Sequence, residues 1–233
     1  MITSKANAWF KRVHNAVREH ADEIVIEGPK AVADAIAAGW KPIPIPAFSA
    51  ALLKSITDTK TSQGVIGLFE RPRWTADQIF SRKALAVALD GVQDPGNVGT
   101  IVRLAAAFDA AGVIVLPGCA DPYGPKAIRA SAGAILSVPI VSMSASELLG
   151  AGRQLFVADA RGSTSEVPTG VLILGNEGQG VSAELRKAGR SIAIKTSGRV
   201  ESLNVAAAAA ILLWRAFHSA PLPSGEGGPE RAG

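Results

Sequence analysis

Three stretches of this chain put polar and charged residues where an α/β protein could use them. The first is LDGVQDPGNVGTIVRLAAAF, beginning at Leu89. An apolar run ending at Asp90 reads as a strand, Gly91, Asp94, Pro95 and Gly96 as a turn, and the residues from about Val98 as a helix. Asn97, Gly99 and Arg103 stand out here. Gly99 and Thr100 precede Arg103 by one helical turn and share its face, and the missing side chain at Gly99 lets a backbone or a ligand approach beneath the guanidinium. A glycine-containing turn followed by a surface arginine is the plainer reading.

The second stretch, VLILGNEGQGVSAEL from Val171, reads as a buried strand ending at Gly175, a glycine-rich loop, and a helix with Ser182 as its cap. Such loops lie at the carboxyl ends of parallel strands, where α/β proteins bind ligands. The order G-N-E-G-Q-G is not the dinucleotide pattern G-x-G-x-x-G, and no Lys-Ser/Thr of a phosphate loop follows. Glu177 sets a carboxylate where a pyrophosphate requires donors, so a neutral or cationic ligand suits the loop better, with a structural turn as the alternative. The third stretch, IAIKTSGRVESLNVAAAAAILLW, reads as a strand ending near Ile194, a polar loop, and a long helix from about Leu203 to Phe217. Ser202 is accounted for by capping alone, and Asn204, in the first turn, can cap or bond a ligand. The alanines from Ala206 to Ala210 call for close packing against a sheet or another subunit.

The elements that must position these residues follow from periodicity. Ala84–Leu89, Val113–Leu116, Leu155–Ala158, Val171–Leu174 and Ile192–Ile194 are short apolar runs suited to a parallel sheet buried on both faces, with helical patterns between most of them. Upstream, Ala6, Trp9, Phe10, Val13 and Val17 recur at helical spacing, with Lys5, Lys11, Arg12 and Arg18 opposite and Ser4 as the expected N-cap. A strand at Glu23–Ile26, a helix opened by Gly28-Pro29 and closed by Gly39, an extended KPIPIP run, a helix at Ser49–Ile56 and a strand at Gly64–Phe69 complete a small α/β unit. A domain break is expected within residues 71–82. The reading is α/β with a mostly parallel sheet preceded by a smaller α/β unit, and the glycine- and proline-rich tail from residue 221 to 233 reads as disordered.

Composition excludes several classes. The chain has 233 residues, 48% hydrophobic and 19% charged, which rules out a disordered protein. A formal charge of +4 permits a nucleic-acid partner without requiring one. A single cysteine, Cys119, excludes a disulfide framework, and three scattered histidines offer no metal-ligand spacing, so no metal is expected. No apolar run is long enough to span a bilayer, and the amino-terminal residues do not read as a signal peptide; a cytoplasmic protein is expected.

N-x-G-x-x-x-R, L-G-N-E-G-x-G and S-L-N-V-A, in this order and near the carboxyl end, resemble the motifs of the SpoU/TrmH family of SPOUT-class, S-adenosylmethionine-dependent RNA ribose 2′-O-methyltransferases. The match covers about residues 83–217. The amino-terminal unit, with Ile2, Ser4, Asn7, Lys11 and the stretch Glu27–Val32, is similar to the L30e-like substrate-binding domain of several members. The resemblance implies an L30e-like domain at residues 1–75, a methyltransferase domain at 83–220 with a carboxyl-terminal trefoil knot, and a homodimer whose site takes residues from both subunits. It assigns cofactor contacts to Leu174, Gly175, Asn176, Gly178, Ile194, Leu203 and Val205. Arg103 becomes the catalytic arginine, with Asn97, Glu177, Ser202 and Asn204 positioning it, the ribose and an adjacent phosphate. PKAIRASAGA (Pro125 to Ala134) also resembles the family and offers Arg129 as an RNA contact, while Arg12 and Arg18 of the first helix could track phosphates. The L30e-like unit favours ribosomal RNA over transfer RNA.

The implied reaction is in-line attack of a ribose oxygen on a sulfonium methyl, which needs alignment and removal of a proton but no metal. Guanidinium normally keeps its proton, so Arg103 is either deprotonated by its site or stays charged beside the developing alkoxide while water accepts the proton. Two rivals remain: a noncatalytic RNA-binding protein of the same fold, against which the presence of Arg103, Glu177, Ser202 and Asn204 speaks, and a dinucleotide-dependent oxidoreductase, which lacks its glycine pattern here.

Overall fold

In the computed structural model, residues 1–19, 22–56, 64–163 and 169–219 are described. The disordered-tail expectation for residues 221–233 lies outside them. The amino-terminal residues form α1 (Ala8–Glu19), β1 (Glu23–Glu27), α2 (Pro29–Ala37), β2 (Pro42–Ile43), α3 (Ala50–Ile56) and β3 (Ile66–Glu70), with the strands in an antiparallel sheet of order β1-β3-β2. Alternation along the strands splits the side chains between two faces. Val25 and Leu68 face Phe10 and Val13 of α1 and Leu52 and Ile56 of α3. Ile24, Ile26 and Phe69 face the other way, into a core shared with the rest of the chain. The cap of α1 is not Ser4: Asn7 Oδ1 accepts the Trp9 N–H at 2.9 Å, and Ser4 instead closes the preceding turn by accepting from Ala6.

Beyond it run α4 (Ala76–Phe80), β4 (Ala86–Asp90), α5 (Pro95–Ala107), β5 (Val113–Val115), α6 (Pro125–Ser131), a 3-10 turn at Ala134–Leu136, β6 (Ile140–Ser142), α7 (Ala145–Gly150), β7 (Leu155–Ser163), β8 (Val171–Gly175), α8 (Ala183–Ala188), β9 (Arg190–Ile192) and α9 (Val205–Ser219). The six strands form one parallel sheet of order β6-β5-β4-β8-β7-β9. Val87, Leu89, Val113, Leu172 and Leu174 point to the face covered by α5 and α9. Ala86, Ala88, Ile114, Val157 and Ile173 point to the other, with Ile79 of α4, Leu148 of α7 and Leu185 of α8. Each such fully buried branched side chain stabilises the fold by about 1.5–3 kcal/mol.

Three features depart from the expected pattern. β6 at the sheet edge follows Pro139 and is too short to show periodicity. β9 lies two residues earlier than expected, so Ile194 falls past its end, off the ladder. The segment between the two units is no open linker: α4 begins with a capping box, Thr75 with Gln78, and buries Ile79 in the main core.

A polar and aromatic seam joins the amino-terminal unit to the rest. Trp40 Nε1 donates to the Leu136 carbonyl at 3.3 Å, and the Trp40 ring meets Phe69 and Tyr123 at centroid distances of 6.2 and 6.1 Å. The Arg71 guanidinium lies 4.5 Å from the Tyr123 ring centroid and 3.3 Å from Asp121. Burial pushes the Tyr123 phenol up to about 12.

Candidate active site

β4 and β8 are neighbours at the centre of the parallel sheet, with Asp90 opposite Gly175 at their carboxyl ends. Strand order reverses here, since β5 lies on one side of β4 and β8 on the other, which is where open α/β sheets bind ligands. Both strands release glycine-rich loops into this crevice. Asp94 caps α5 by accepting from the N–H groups of Gly96 and Asn97, and Pro95 occupies the first turn, where a missing N–H costs nothing. The helix therefore starts at Pro95, earlier than expected, and Asn97 sits in its first turn at the mouth of the crevice.

The 175–181 loop is folded around Asn176. Its backbone exchanges hydrogen bonds with Gly180, at 3.1 and 2.9 Å, and its Oδ1 accepts from Gly178 N at 2.9 Å and Gln179 N at 3.0 Å. Asn176 Nδ2 donates to the Gly91 carbonyl at 2.8 Å, stapling the loop to the turn after β4. A side chain at Gly175 would overlap the backbone of Gly180 and Val181, so only glycine permits this fold-back. Two contacts that sequence reasoning missed also hold the loop: Asp90 accepts the Ser182 N–H at 2.7 Å, and Arg186 Nη2 donates to the Val181 carbonyl at 3.0 Å while its Nε lies 3.6 Å from Asp159. Ser182 occupies the cap position of α8 without a side-chain cap bond.

Asn97, Glu177 and Asn204 converge from the three stretches. Asn97 Nδ2 donates to Glu177 Oε1 at 2.9 Å, and Asn204 Nδ2 donates to Asn97 Oδ1 at 3.2 Å. Asn204 Oδ1 accepts from Ala206 N at 2.9 Å and Ala207 N at 3.2 Å and so caps α9. The amide orientations are forced: the cap commits the Asn204 oxygen, and a carboxylate can only accept. Partial burial pushes the Glu177 carboxyl up, but the Asn97 hydrogen bond and the backbone N–H groups of Glu177, Gln93 and Asp94 together outweigh it, leaving it below its ordinary value.

Arg103 and Ser202 do not join this chain of hydrogen bonds. Arg103 is exposed on α5, and Ser202 is exposed in the loop before α9, whose cap is Asn204. Gly99 serves backbone approach rather than a ligand: its Cβ would overlap the Ala127 carbonyl of α6 and lie 2.7 Å from Ala130 Cβ. Of the proposed cofactor residues, Leu174, Ile194 and Val205 lie in one apolar cluster, Leu203 is half-buried nearby in sequence, and Gly178 is exposed in the loop. Arg129 and Arg18 are exposed, whereas Arg12 is paired with Glu23 through Nε at 3.0 and 3.1 Å and lies 5.0 Å from the Trp9 ring centroid. Among the described residues, no cluster of His, Cys, Asp or Glu could hold a metal ion, and no helix is long and apolar enough to cross a membrane.

The fold matches the crystal structure of an AdoMet-bound rRNA methyltransferase from Sinorhizobium meliloti with a TM-score of 0.81 and 28% identity, over 93% of this chain and 97% of that one. It matches the SpoU methyltransferase AviRb from Streptomyces viridochromogenes, in complex with AdoMet, with a TM-score of 0.79 and 27% identity, over 91% and 97%. In sequence the chain is 34% identical over 178 residues to the 23S rRNA (guanosine(2553)-2′-O)-methyltransferase RlmP of Bacillus subtilis, spanning 72% of this chain and 68% of the relative. It is 35% identical over 181 residues to an uncharacterized tRNA/rRNA methyltransferase of Synechocystis, spanning 72% and 65%. The chain thus spans about two thirds of the length of these relatives. The family model of the SpoU rRNA methylases matches residues 84–214, more than half of the chain. The chain belongs to the SpoU rRNA methylase family.

Proposed function

We propose that this protein transfers a methyl group from S-adenosylmethionine to a ribose 2′-hydroxyl of RNA, with ribosomal RNA as the substrate in preference to transfer RNA. The observation that carries the reading is the hydrogen-bonded line Asn204–Asn97–Glu177, which joins the three stretches at the carboxyl edge of β4 and β8. Ligand chemistry fits the cradle. Gly175 lets the 175–181 loop fold back on itself at the end of β8, Ile194 lies past the end of β9 and off the strand ladder, and Leu174, Ile194 and Val205 belong to the apolar core beneath it. Leu203, Asn176 and Gly178 complete the proposed cofactor contacts. Bound there, S-adenosylmethionine supplies a methyl group activated by its sulfonium.

The protein's own residues align the acceptor. Glu177, held below its ordinary value, is a poor proton acceptor and serves as an anchor for Asn97. Asn97 and Asn204 orient the ribose and Ser202 its neighbouring phosphate. Arg103, exposed on α5, acts beside the ribose oxygen, either as the base once its site deprotonates it or as a cation facing the developing alkoxide while water takes the proton.

A second copy of the chain completes the site. Ile211, Trp214 and Phe217 of α9 are 37%, 51% and 49% exposed, forming an apolar stripe beside α5, the helix that carries Arg103. A homodimer through this stripe covers it and gives Arg103 partners. We further propose that residues 1–75 form an L30e-like unit that grips RNA, with Arg12 and Arg18 of α1 as phosphate contacts there and Arg129 of α6 as an RNA contact on the methyltransferase unit. We propose likewise that residues 83–220 form the methyltransferase unit, with a trefoil knot in its carboxyl-terminal part. The cytoplasm is the proposed site of action.

Calorimetry with S-adenosylmethionine, followed by methyl transfer to unmodified ribosomal RNA and to transfer RNA, tests the proposal. A mapped 2′-O-methyl nucleotide in ribosomal RNA is the expected product. A folded dimer that binds no S-adenosylmethionine would overturn it.

A further inference from the structure

We propose that Lys126 is a phosphate-binding residue for the RNA strand entering the site, held on Asp94 until that strand arrives. This inference rests on the RNA-methylation reading above. Lys126 is the second residue of α6, and its Nζ lies 3.3 Å from both carboxylate oxygens of Asp94. The two side chains are 59% and 50% exposed, so water screens their attraction and the pair is weak. Asp94 does not need this cation. It already accepts from the N–H groups of Gly96 and Asn97 as the cap of α5, and the Gly96 bond, with Lys126 and Asn97 adding to it, holds its carboxyl below its ordinary value.

Lys126 is placed by backbone packing rather than by the ion pair. Gly99 lets α6 approach so closely that the Ala127 carbonyl fills the space of a side chain, and this lays Lys126 across the first turn of α5. Its Cε would lie 3.6 Å from a Cβ on Gly96, the residue before Asn97. An ammonium is therefore delivered to the first turn of α5, on the same carboxylate that accepts the Asn97 backbone N–H. Arg129, one turn further along α6, and Arg103 on α5 are exposed as well. A phosphodiester next to the acceptor ribose meets Lys126 as a partner stronger than an already satisfied carboxylate, so the lysine changes partner on binding.

The test is fluorescence anisotropy at stepped salt concentrations, using a labelled single-stranded RNA of mixed sequence and an unmodified ribosomal RNA transcript. Lys126→Gln is expected to weaken binding about three- to tenfold and to make the slope of log K against log salt shallower by about 0.7, the loss of one phosphate contact on single-stranded RNA. Lys126→Arg is expected to retain the slope. Asp94→Asn keeps a side chain that caps equally well, removes the competing charge, and is expected to bind RNA more tightly. Unchanged calorimetric affinity of Lys126→Gln for S-adenosylmethionine shows that the fold is intact. A Lys126→Gln slope equal to the wild type overturns the assignment, whatever Asp94→Asn does. A wild-type protein that binds neither RNA overturns the functional reading itself, and this inference with it.

Discussion

Asn97 and Glu177 stand 80 positions apart in the chain and meet at 2.9 Å, the amide of one presented to the carboxylate of the other. That contact ties the helix after β4 to the loop after β8. Asn97→Ala removes it and also strands the Asn204 donor. Turnover is expected to fall by one to two orders of magnitude with little change in melting temperature, since the site is at the surface. Asn97→Asp, which sets a like charge against Glu177, is expected to be worse than alanine, and methyl-transfer kinetics would show the ranking.

Asn204 combines two jobs that one substitution separates. Asn204→Ser preserves a capping oxygen for α9 but lacks the amide that reaches Asn97. Thermal stability is expected to stay within about 0.5 kcal/mol of the wild type while activity drops at least tenfold. Equal losses in both would assign Asn204 to capping alone.

Arg103→Ala is expected to abolish most methyl transfer while calorimetry still detects S-adenosylmethionine binding. Arg103→Lys should rescue poorly, because a point charge cannot present the planar fork of a guanidinium to phosphate and alkoxide together. Normal turnover by the alanine variant would remove Arg103 from the site.

Gly99→Ala and Gly175→Ala probe different consequences of the same kind of crowding. At Gly99 the added carbon meets the Ala127 carbonyl, so α6 must shift, at a cost of about 1–3 kcal/mol measured by urea denaturation. At Gly175 it meets the backbone of Gly180 and Val181, and the expected loss is in affinity for S-adenosylmethionine.

Acid should destabilise the site through Glu177. Its ordinary value is 4.5 and the folded value is lower, so the native state resists protonation. The stabilisation is complete above 4.5 and is lost as pH falls through the lower folded value. Asp94 and Asp159, also held low by hydrogen bonds from Gly96 and Arg161 backbone N–H groups, act in the same direction. Urea midpoints measured from neutral to acid pH should therefore decline, and Glu177→Gln should flatten part of that decline.

The strands carrying the site are legible in the sequence because Val171–Leu174 and Ala84–Leu89 are uninterrupted apolar runs ending in glycine-rich turns. The motif residues are legible as types at fixed spacing. Who meets whom is not: nothing local in the chain pairs Asn97 with Glu177, or lays Lys126 on Asp94, because those contacts come from strand order and from α6 packing on α5. Asp94 reads only as a turn residue, although the Asp-Pro sequence is itself a helix-start signal. Gly99 is open in sequence to either a backbone or a ligand, and three-dimensional packing decides for the backbone. Arg186 and Asp159 give no sign, since a lone charge pair from separate elements has no periodicity.

Ile24, Ile26, Phe69 and Trp40 of the amino-terminal unit belong to the same buried cluster as Val87 and Leu89 of the parallel sheet. A cut at residue 75 would accordingly leave two halves each wearing a greasy scar, and the catalytic half produced alone should clump or need detergent. The shared core also sets the amino-terminal half at a fixed distance from Asn97, as the jaw of a caliper is set from its anvil.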